Sequence, residues 1–354
     1  MAPIVRLLAQ TAGVESRVCV TAQHRQMLDQ VLSLFEVKPD YDLDLMRDDQ
    51  SLAQLSAAIF TNLNPVITDF KPDWVLAQGD TTTVAMTSLL AYYHRTKFGH
   101  VEAGLRTHDK WQPFPEEINR RVAGVTADLH FAPTEWSKQN LLREGIAASI
   151  IKVTGNTVID ALQYVSRKPE PAEITQLITA KLKTNKLILV TAHRRENFGR
   201  PMEDICQALL ELAKRGGVEI VYPVHLNPNV QEPVNRLLKG KNHITLLPPL
   251  DYLPLVHLMK HAALILTDSG GIQEEAPAFG IPTLVLREVT ERPEGVAAGT
   301  LKLVGTGTSR IVEEAKRLLD NEIAYAEMAK AVNPYGDGHA AEKIVQALIS
   351  NDLS

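Results

Sequence analysis

The chain has 354 residues, of which 45% are apolar and 22% charged, and a formal net charge of -5. That length exceeds what one hydrophobic core usually holds, so two domains are expected, and the negative balance argues against bulk attraction to nucleic acid or an anionic membrane while leaving room for a local basic pocket. Only two cysteines occur, Cys19 and Cys206, with no secretory leader and no apolar run long enough to span a bilayer; a cytoplasmic protein without disulfides, metal or membrane contact is the expectation.

In chain order, residues 1–10 (MAPIVRLLAQ) read as an amphipathic helix, an unusual opening for a doubly wound domain. Residues 16–21 (SRVCVT) read as a strand, 25–35 and 52–70 as helices, and 73–78 (DWVLAQ) as a compact apolar strand ending in Gly79 and Asp80. A helix carrying 86–93, a short strand closing at 100–102, a strand at 127–131 (ADLHF) and a helix capped by Thr134 continue the βα alternation. The first domain should end after the strand 151–154 and the turn Gly155-Asn156, with a polar, weakly patterned linker near 165–175. A second βα series then follows, with strands at 186–191 (KLILVT), 218–223 (VEIVYP), 243–247 (HITLL), 263–267 (ALILT) and 282–286 (PTLVL). Helices are expected around 311–319 and 340–349, split by NPYGDG at 333–338. This gives domains of 1–168 and 169–333, with the final segment 334–354 returning to the first.

The fold class implied is α/β, two Rossmann-like doubly wound domains with a ligand in the crevice at the strand C-termini. Neither half contains GxGxxG, which lowers the case for a bound dinucleotide cofactor, and no cofactor is expected. The phosphate-binding candidate is instead DSGG, Asp268 to Gly271, between the strand ALILT and a helical run. Glycines let a backbone approach an anion, and Ser269 adds a hydroxyl; the competing reading is a capped turn with no ligand.

Acidic and imidazole candidates sit at strand ends or loops. Asp80 in GDTTT competes with a role as helix N-cap, and Glu102 in HVEAGLRT emerges into a glycine turn. Glu116 in PFPEEINRR has Arg120 one helical turn along, so an i,i+4 ion pair is its alternative. His193 in TAHRRENFGR lies past the first strand of the second half, with Arg194, Arg195 and Arg200 forming a basic cluster suited to a pyrophosphate. His225 in PVHLNPN is a further strand-end histidine, as compatible with a loop hydrogen bond as with a ligand. Carboxylates with a basic loop can move a weakly acidic proton beside a glycosyl phosphate bond, and no nucleophile elbow offers an acyl-transfer triad.

The segments TAQHRQMLDQV, QGDTTT, GHVEAGLRT, PFPEEINRR, GNTVIDAL, TAHRRENFGRP, VYPVHLNPNVQEPVNRLL, TDSGGIQEEAPAFG and TERPEGV resemble, in order and over essentially the whole chain, the motif set of the non-hydrolysing UDP-N-acetylglucosamine 2-epimerases. The resemblance implies a GT-B-like pair of facing domains with the ligand cleft between them. It also implies interconversion of UDP-N-acetylglucosamine and UDP-N-acetylmannosamine without a cofactor, and an isomerase serving cell-envelope polysaccharide synthesis. It assigns catalysis to Asp80, Glu102, Glu116 and His193, and substrate binding to Arg120, to the turn Ser269, Gly270 and Gly271, to Glu275 as acceptor of ribose hydroxyls, and to Arg292.

A second UDP-N-acetylglucosamine acting as activator would meet Gln23, Gln26, Arg194 and His225, and the assembly would be a homodimer. Leu250 and Leu255 stand where relatives often carry Gln and Phe. Relatives also begin with a strand and a loop resembling GTRPEAIK before the helix that opens this chain, so an inner strand of the first sheet is expected to be lacking. A glycosyltransferase of the same fold and a nucleotide-sugar sensor without turnover are the rival functions; formation of a glycosidic bond to an acceptor would mark the first, binding without turnover the second.

Overall fold

The computed structural model describes residues 1–22, 25–47, 49–182 and 185–352. The chain separates into two compact units, Met1–Ala161 with Tyr335–Ser354, and Leu162–Pro334.

The second unit is one parallel sheet built from β7 (Lys186–Thr191), β8 (Val218–Pro223), β9 (Ile244–Leu247), β10 (Ala262–Thr267), β11 (Thr283–Val285) and β12 (Leu301–Leu303). In the first unit, β1 (Cys19–Val20) pairs with β2 (Tyr41–Asp42), and β3 (Trp74–Gln78), β4 (Lys97–Val101), β5 (Leu129–Ala132) and β6 (Ile151–Val153) form a second parallel sheet in that order. The six-strand order of the second unit, β12-β11-β10-β7-β8-β9, is that of a doubly wound sheet whose topological switch lies between β7 and β10. Five of the six residues of β7 are buried, as a strand covered by helices on both faces requires, and this produces the unbroken apolar run KLILVT. Its core joins Ile188 and Val190 to Leu209 and Leu212 of the helix Arg200–Lys214, and to Leu264 and Leu266 of β10.

The α/β class and the strand series of both halves agree with the sequence reading, with local differences. Of residues 16–21 only Cys19–Val20 forms a strand, because the Val18 carbonyl accepts from Asp40 N and Tyr41 N in a turn and Val18 N is taken by the Asp40 carboxylate. The polar segment expected as linker contains a helix, Ala172–Lys181, anchored by the buried Ile174. Thr134 caps its helix by accepting from Ser137 N at 3.1 Å.

In the first unit the two sheets remain separate, and a cavity of about 600 Å³ is lined by residues of β1, β2 and β3, among them Cys19, Val20, Tyr41, Val75 and Ala77. Asp80, Glu102 and Glu116 do not line it. The final helix, Ala340–Asp352, belongs to this unit: Ile344, Val345 and Leu348 pack with Ile4, Val101 and Phe131. Its first turn is held by the Asp160 carboxylate, which accepts from Ala340 N and Ala341 N at 3.2 and 2.8 Å.

Candidate active site

β3 and β4 are in register with Gln78 opposite Val101, so the chain leaves both strands side by side at their C-terminal ends. Gly79 N donates to Val101 O at 3.0 Å, and the buried His100 ring holds Gly79 O through Nε2 at 2.8 Å. Asp80 and Glu102 follow immediately. Gly79 (φ +86°) makes the reversal, and Glu102 itself is left-handed at φ +64°, a conformation that costs a side-chain-bearing residue energy and recurs at functional sites. Glu102 Oε2 accepts from Gln78 Nε2 at 3.0 Å.

Neither alternative role survives for Asp80 or Glu116. The helix after β3 begins at Thr82 with Thr81 as its N-cap, so Asp80 is not the cap. Its Oδ2 instead takes two N–H groups of Arg120, at 2.9 and 2.6 Å, which leaves Oδ1 outside that pairing. Arg120 also reaches Glu117 at 3.2 Å and makes no pair with Glu116. Glu116, in the first turn of the helix Glu116–Thr126, is half-buried and makes no hydrogen bond or ion pair with the described residues. Glu117 is the structural member of the doublet: fully buried, it accepts from Thr107 N and His108 N at 3.1 Å each and holds Arg120. Arg106, forked onto Glu144 at 2.8 Å through two N–H groups, and Asn140, which donates to Gly104 O at 3.0 Å, complete the frame of the loop after Glu102.

In the second unit the functional side chains gather at the switch point, where β7 lies between β8 and β10. The loop after β7 is fixed from both neighbours: Tyr222 of β8 donates its hydroxyl to Ala192 O at 2.6 Å, and Asp268, after β10, accepts from His193 N, Arg194 N and Asn197 Nδ2 at 2.8, 2.8 and 2.9 Å. The His193 ring stacks on His225 with centroids 5.3 Å apart and planes 15° from parallel. Burial pushes the His193 imidazole below its ordinary pKa, the Asp268 carboxylate pulls it up, and His225 and Arg194 push it down.

A side chain at Gly270 would meet guanidinium nitrogens of Arg194 at 3.5 Å and Arg292 at 3.7 Å, so two cations flank the DSGG turn. Arg292 is also paired with Glu274. The Ser269 hydroxyl is not spent on capping the following helix, and the space over Gly271 is open. Of the expected basic cluster, Arg194 lies beside the turn. Arg195 is exposed, and Arg200 turns outward toward Asp204, because the helix Arg200–Lys214 starts at that point and fixes its first residues on the solvent side.

Glu275 is almost fully buried and accepts from the Tyr252 hydroxyl at 2.6 Å; burial pushes its carboxyl up to about 7, helped by Glu274 and opposed by the tyrosine hydrogen bond. Gln23 lies outside the described residues, as does the side chain of Gln26. Glu117 and Tyr252 carry no assignment from the sequence, and Asp268 figures there only as the first residue of the phosphate-binding candidate DSGG, not as the acceptor that holds the loop after β7.

The sequence profile described as UDP-N-acetylglucosamine 2-epimerase matches residues 6–349. The chain belongs to the UDP-N-acetylglucosamine 2-epimerase family. The UDP-N-acetylglucosamine 2-epimerase of Yersinia pestis is 57% identical over 360 residues, covering 100% of this chain and 96% of the relative, and that of Escherichia coli K12 is 54% identical over 363 residues at the same coverages. Among solved structures, the epimerase of Neisseria meningitidis bound to UDP-GlcNAc is 49% identical with a TM-score of 0.89, covering 99% of this chain and 96% of that one. The Methanocaldococcus jannaschii epimerase in complex with UDP-GlcNAc and UDP is 31% identical with a TM-score of 0.78, at coverages of 99% and 95%. Among the described residues of this family member, no helix is long and apolar enough to cross a membrane, and no cluster of three or more His, Cys, Asp or Glu side chains is arranged for a metal ion.

Proposed function

We propose that the chain is a UDP-N-acetylglucosamine 2-epimerase that inverts C2 of the amino sugar reversibly, giving UDP-N-acetylmannosamine, through elimination and re-addition of UDP. The observation that carries the mechanism is the set of carboxylates Asp80 and Glu102 at strand ends and Glu116 in the first turn of its helix, on a chain of this family: Thr81 rather than Asp80 stands at the N-cap position, and Arg120 pairs with Asp80 and Glu117 rather than with Glu116. The C2 proton of an unactivated sugar is hard to remove. Coupling its removal to departure of diphosphate from C1 supplies a good leaving group and yields a 2-acetamidoglucal, which is protonated on the opposite face before UDP returns. Asp80, Glu102 and Glu116 handle the proton. His193, Arg194, Arg292 and the Ser269-Gly270-Gly271 turn hold the diphosphate charge, and Arg120 keeps Asp80 in place beside substrate.

Run in deuterated water, the reaction is expected to place deuterium at C2 of the epimerised product, and oxygen-18 in the C1 bridge should scramble into the non-bridging phosphate positions. Product without label at C2 at partial conversion would overturn the carboxylate mechanism. The same assay started from UDP-N-acetylmannosamine tests the activator reading of Gln23, Gln26, Arg194 and His225: a trace of UDP-N-acetylglucosamine should raise the initial rate in the intact protein and much less in His225→Ala. A homodimer in the cytoplasm is the assembly and location that fit this reading, and sedimentation of the purified chain checks the first.

Glu275 gives a pH signature for nucleotide binding. Ribose hydroxyls donate, so they favour the ionised carboxylate, and in the free protein that form is depleted below about pH 7. UDP affinity should therefore rise about three- to tenfold more between pH 6 and 8 in the unmodified protein than in Glu275→Gln, a comparison that cancels titration of the phosphate itself. The linkage to folding runs the other way. An acid whose folded pKa lies above its unfolded value of 4.5 contributes stability below pH 4.5 and loses it as pH rises through about 7. Equal pH slopes in the two proteins would remove Glu275 from the nucleotide site.

A further inference from the structure

We propose that Asp268 is the positioning residue for His193, fixing the ring with Nδ1–H toward the carboxylate so that Nε2 is the nitrogen whose proton comes and goes. The assignment rests on the reading of His193 as the group beside the diphosphate.

The geometry is that of a carboxylate with two separate tasks. Oδ2 is saturated by His193 N, Arg194 N and Asn197 Nδ2. Oδ1 accepts no hydrogen bond from the described residues, is fully buried, and lies 3.6 Å from His193 Nδ1. A buried carboxylate oxygen is a strong acceptor, and closing this gap by a few tenths of an ångström makes it an ordinary hydrogen bond. Of the two neutral tautomers, only the one with hydrogen on Nδ1 offers a donor to Oδ1; the other sets two lone pairs against each other. Asn197 reinforces the arrangement by also donating to Leu286 O at 3.2 Å, so the Asp268 carboxylate cannot turn without breaking a buried network.

One face of the ring stacks on His225, whose Nδ1 accepts from Asn227 N at 3.1 Å, leaving that ring's hydrogen on Nε2. The charged or titratable groups acting on His193 are therefore Asp268 from the end of β10, His225 from the loop after β8 and Arg194 on its own loop. With Nδ1–H committed to Asp268, protonation adds hydrogen at Nε2 and gives an imidazolium whose charge Asp268 balances. Nε2–H then donates to the departing diphosphate and recovers its proton when UDP returns, while Asp268 remains a carboxylate throughout.

The test is nuclear magnetic resonance of the full chain labelled with ¹⁵N-histidine, without ligand, the His193 signals being identified by their loss in His193→Gln. The neutral ring is expected as the Nδ1–H tautomer. In Asp268→Asn, the amide should keep its oxygen on the three N–H donors and turn NH₂ toward the ring; this converts His193 to the Nε2–H tautomer and, by removing the anion that raises it, moves the imidazolium transition to lower pH. kcat/KM should fall by about 100-fold or more while the dissociation constant for UDP changes less than about threefold. An Nε2–H tautomer in the unmodified protein overturns the proposal, a measurement that stands even if Asp268→Asn fails to fold. An unchanged tautomer and unchanged titration in folded Asp268→Asn overturn it as well. A protein with the Nδ1–H tautomer and no epimerase turnover would leave the positioning role standing and defeat the functional reading instead.

Discussion

Glu116→Gln is expected to lower turnover by about 100-fold or more with the fold and melting temperature intact, the loss typical of removing one general acid or base. The side chain is half-buried and engages none of the described residues, so an isosteric amide disturbs nothing but proton transfer. Its neighbour provides the contrast. Glu117→Gln puts an NH₂ group in place of one of two oxygens that both accept, so either Thr107 N and Arg120 or else His108 N lose their acceptor; the melting temperature should fall and turnover fall with it. Glu102→Gln should resemble Glu116→Gln, because Gln78 Nε2 can donate to an amide oxygen as readily as to a carboxylate. Asp80→Asn is a mixed case, since it weakens the Arg120 pair and proton transfer together. Near-normal turnover in Glu116→Gln, measured beside its melting curve, would strike that residue from the mechanism.

Gly104→Ala is expected to destabilise the first unit by about 3–5 kcal/mol. Gly104 sits at φ +89°, and a Cβ there would lie 2.3 Å from Ser137 O and 2.8 Å from Ser137 C, both backbone atoms of the helix Glu135–Arg143. Backbone cannot swing aside as a side chain tip would, so the loop carrying Glu102 must lift off that helix. Gly145→Ala is the control: its φ is +85°, yet a Cβ meets nothing within 4 Å, so only the conformational cost of about 1 kcal/mol applies. All three tryptophans, Trp74, Trp111 and Trp136, belong to the first unit, so their fluorescence in urea follows that unit directly. Equal midpoints for the two variants would mean that the close approach at Gly104 is not rigid.

What the sequence made legible follows from how local each signal is. KLILVT and VEIVYP announce their strands because burial on both faces leaves no polar alternation, and β7 and β8 occupy those residues. The helix Ala172–Lys181 was hidden because its anchor is Ile174 alone among many polar residues, too little to set a period. Place in the chain and the family resemblance brought forward Asp80, Glu102, Glu116 and His193, yet neither showed that Glu117 holds the loop after Glu102, since that depends on which way its side chain points from the helix. Nor could either pair His193 with His225 and Asp268. That meeting depends on β7 lying between β8 and β10, an order set by packing of the whole sheet and written in no single segment. The basic cluster was overread for the same reason: sequence proximity placed Arg200 with Arg194, while the start of a helix turned it away.

The return of the chain to its first unit at Tyr335 constrains how the protein can be made. Residues 162–334 form a uninterrupted stretch with its own core, so that unit can fold as soon as it has emerged from the ribosome. The first unit, although most of it is synthesised earlier, has to wait: the cluster of Ile4, Val101 and Phe131 is completed only when Ile344, Val345 and Leu348 arrive. Translation order and folding order are thereby inverted, and the nascent chain carries an open apolar face through synthesis of the entire second unit. A chaperone that binds exposed apolar strands would find its target there, and a stop codon anywhere after residue 334 but before the last helix would leave a folded second unit tethered to an unfinished first.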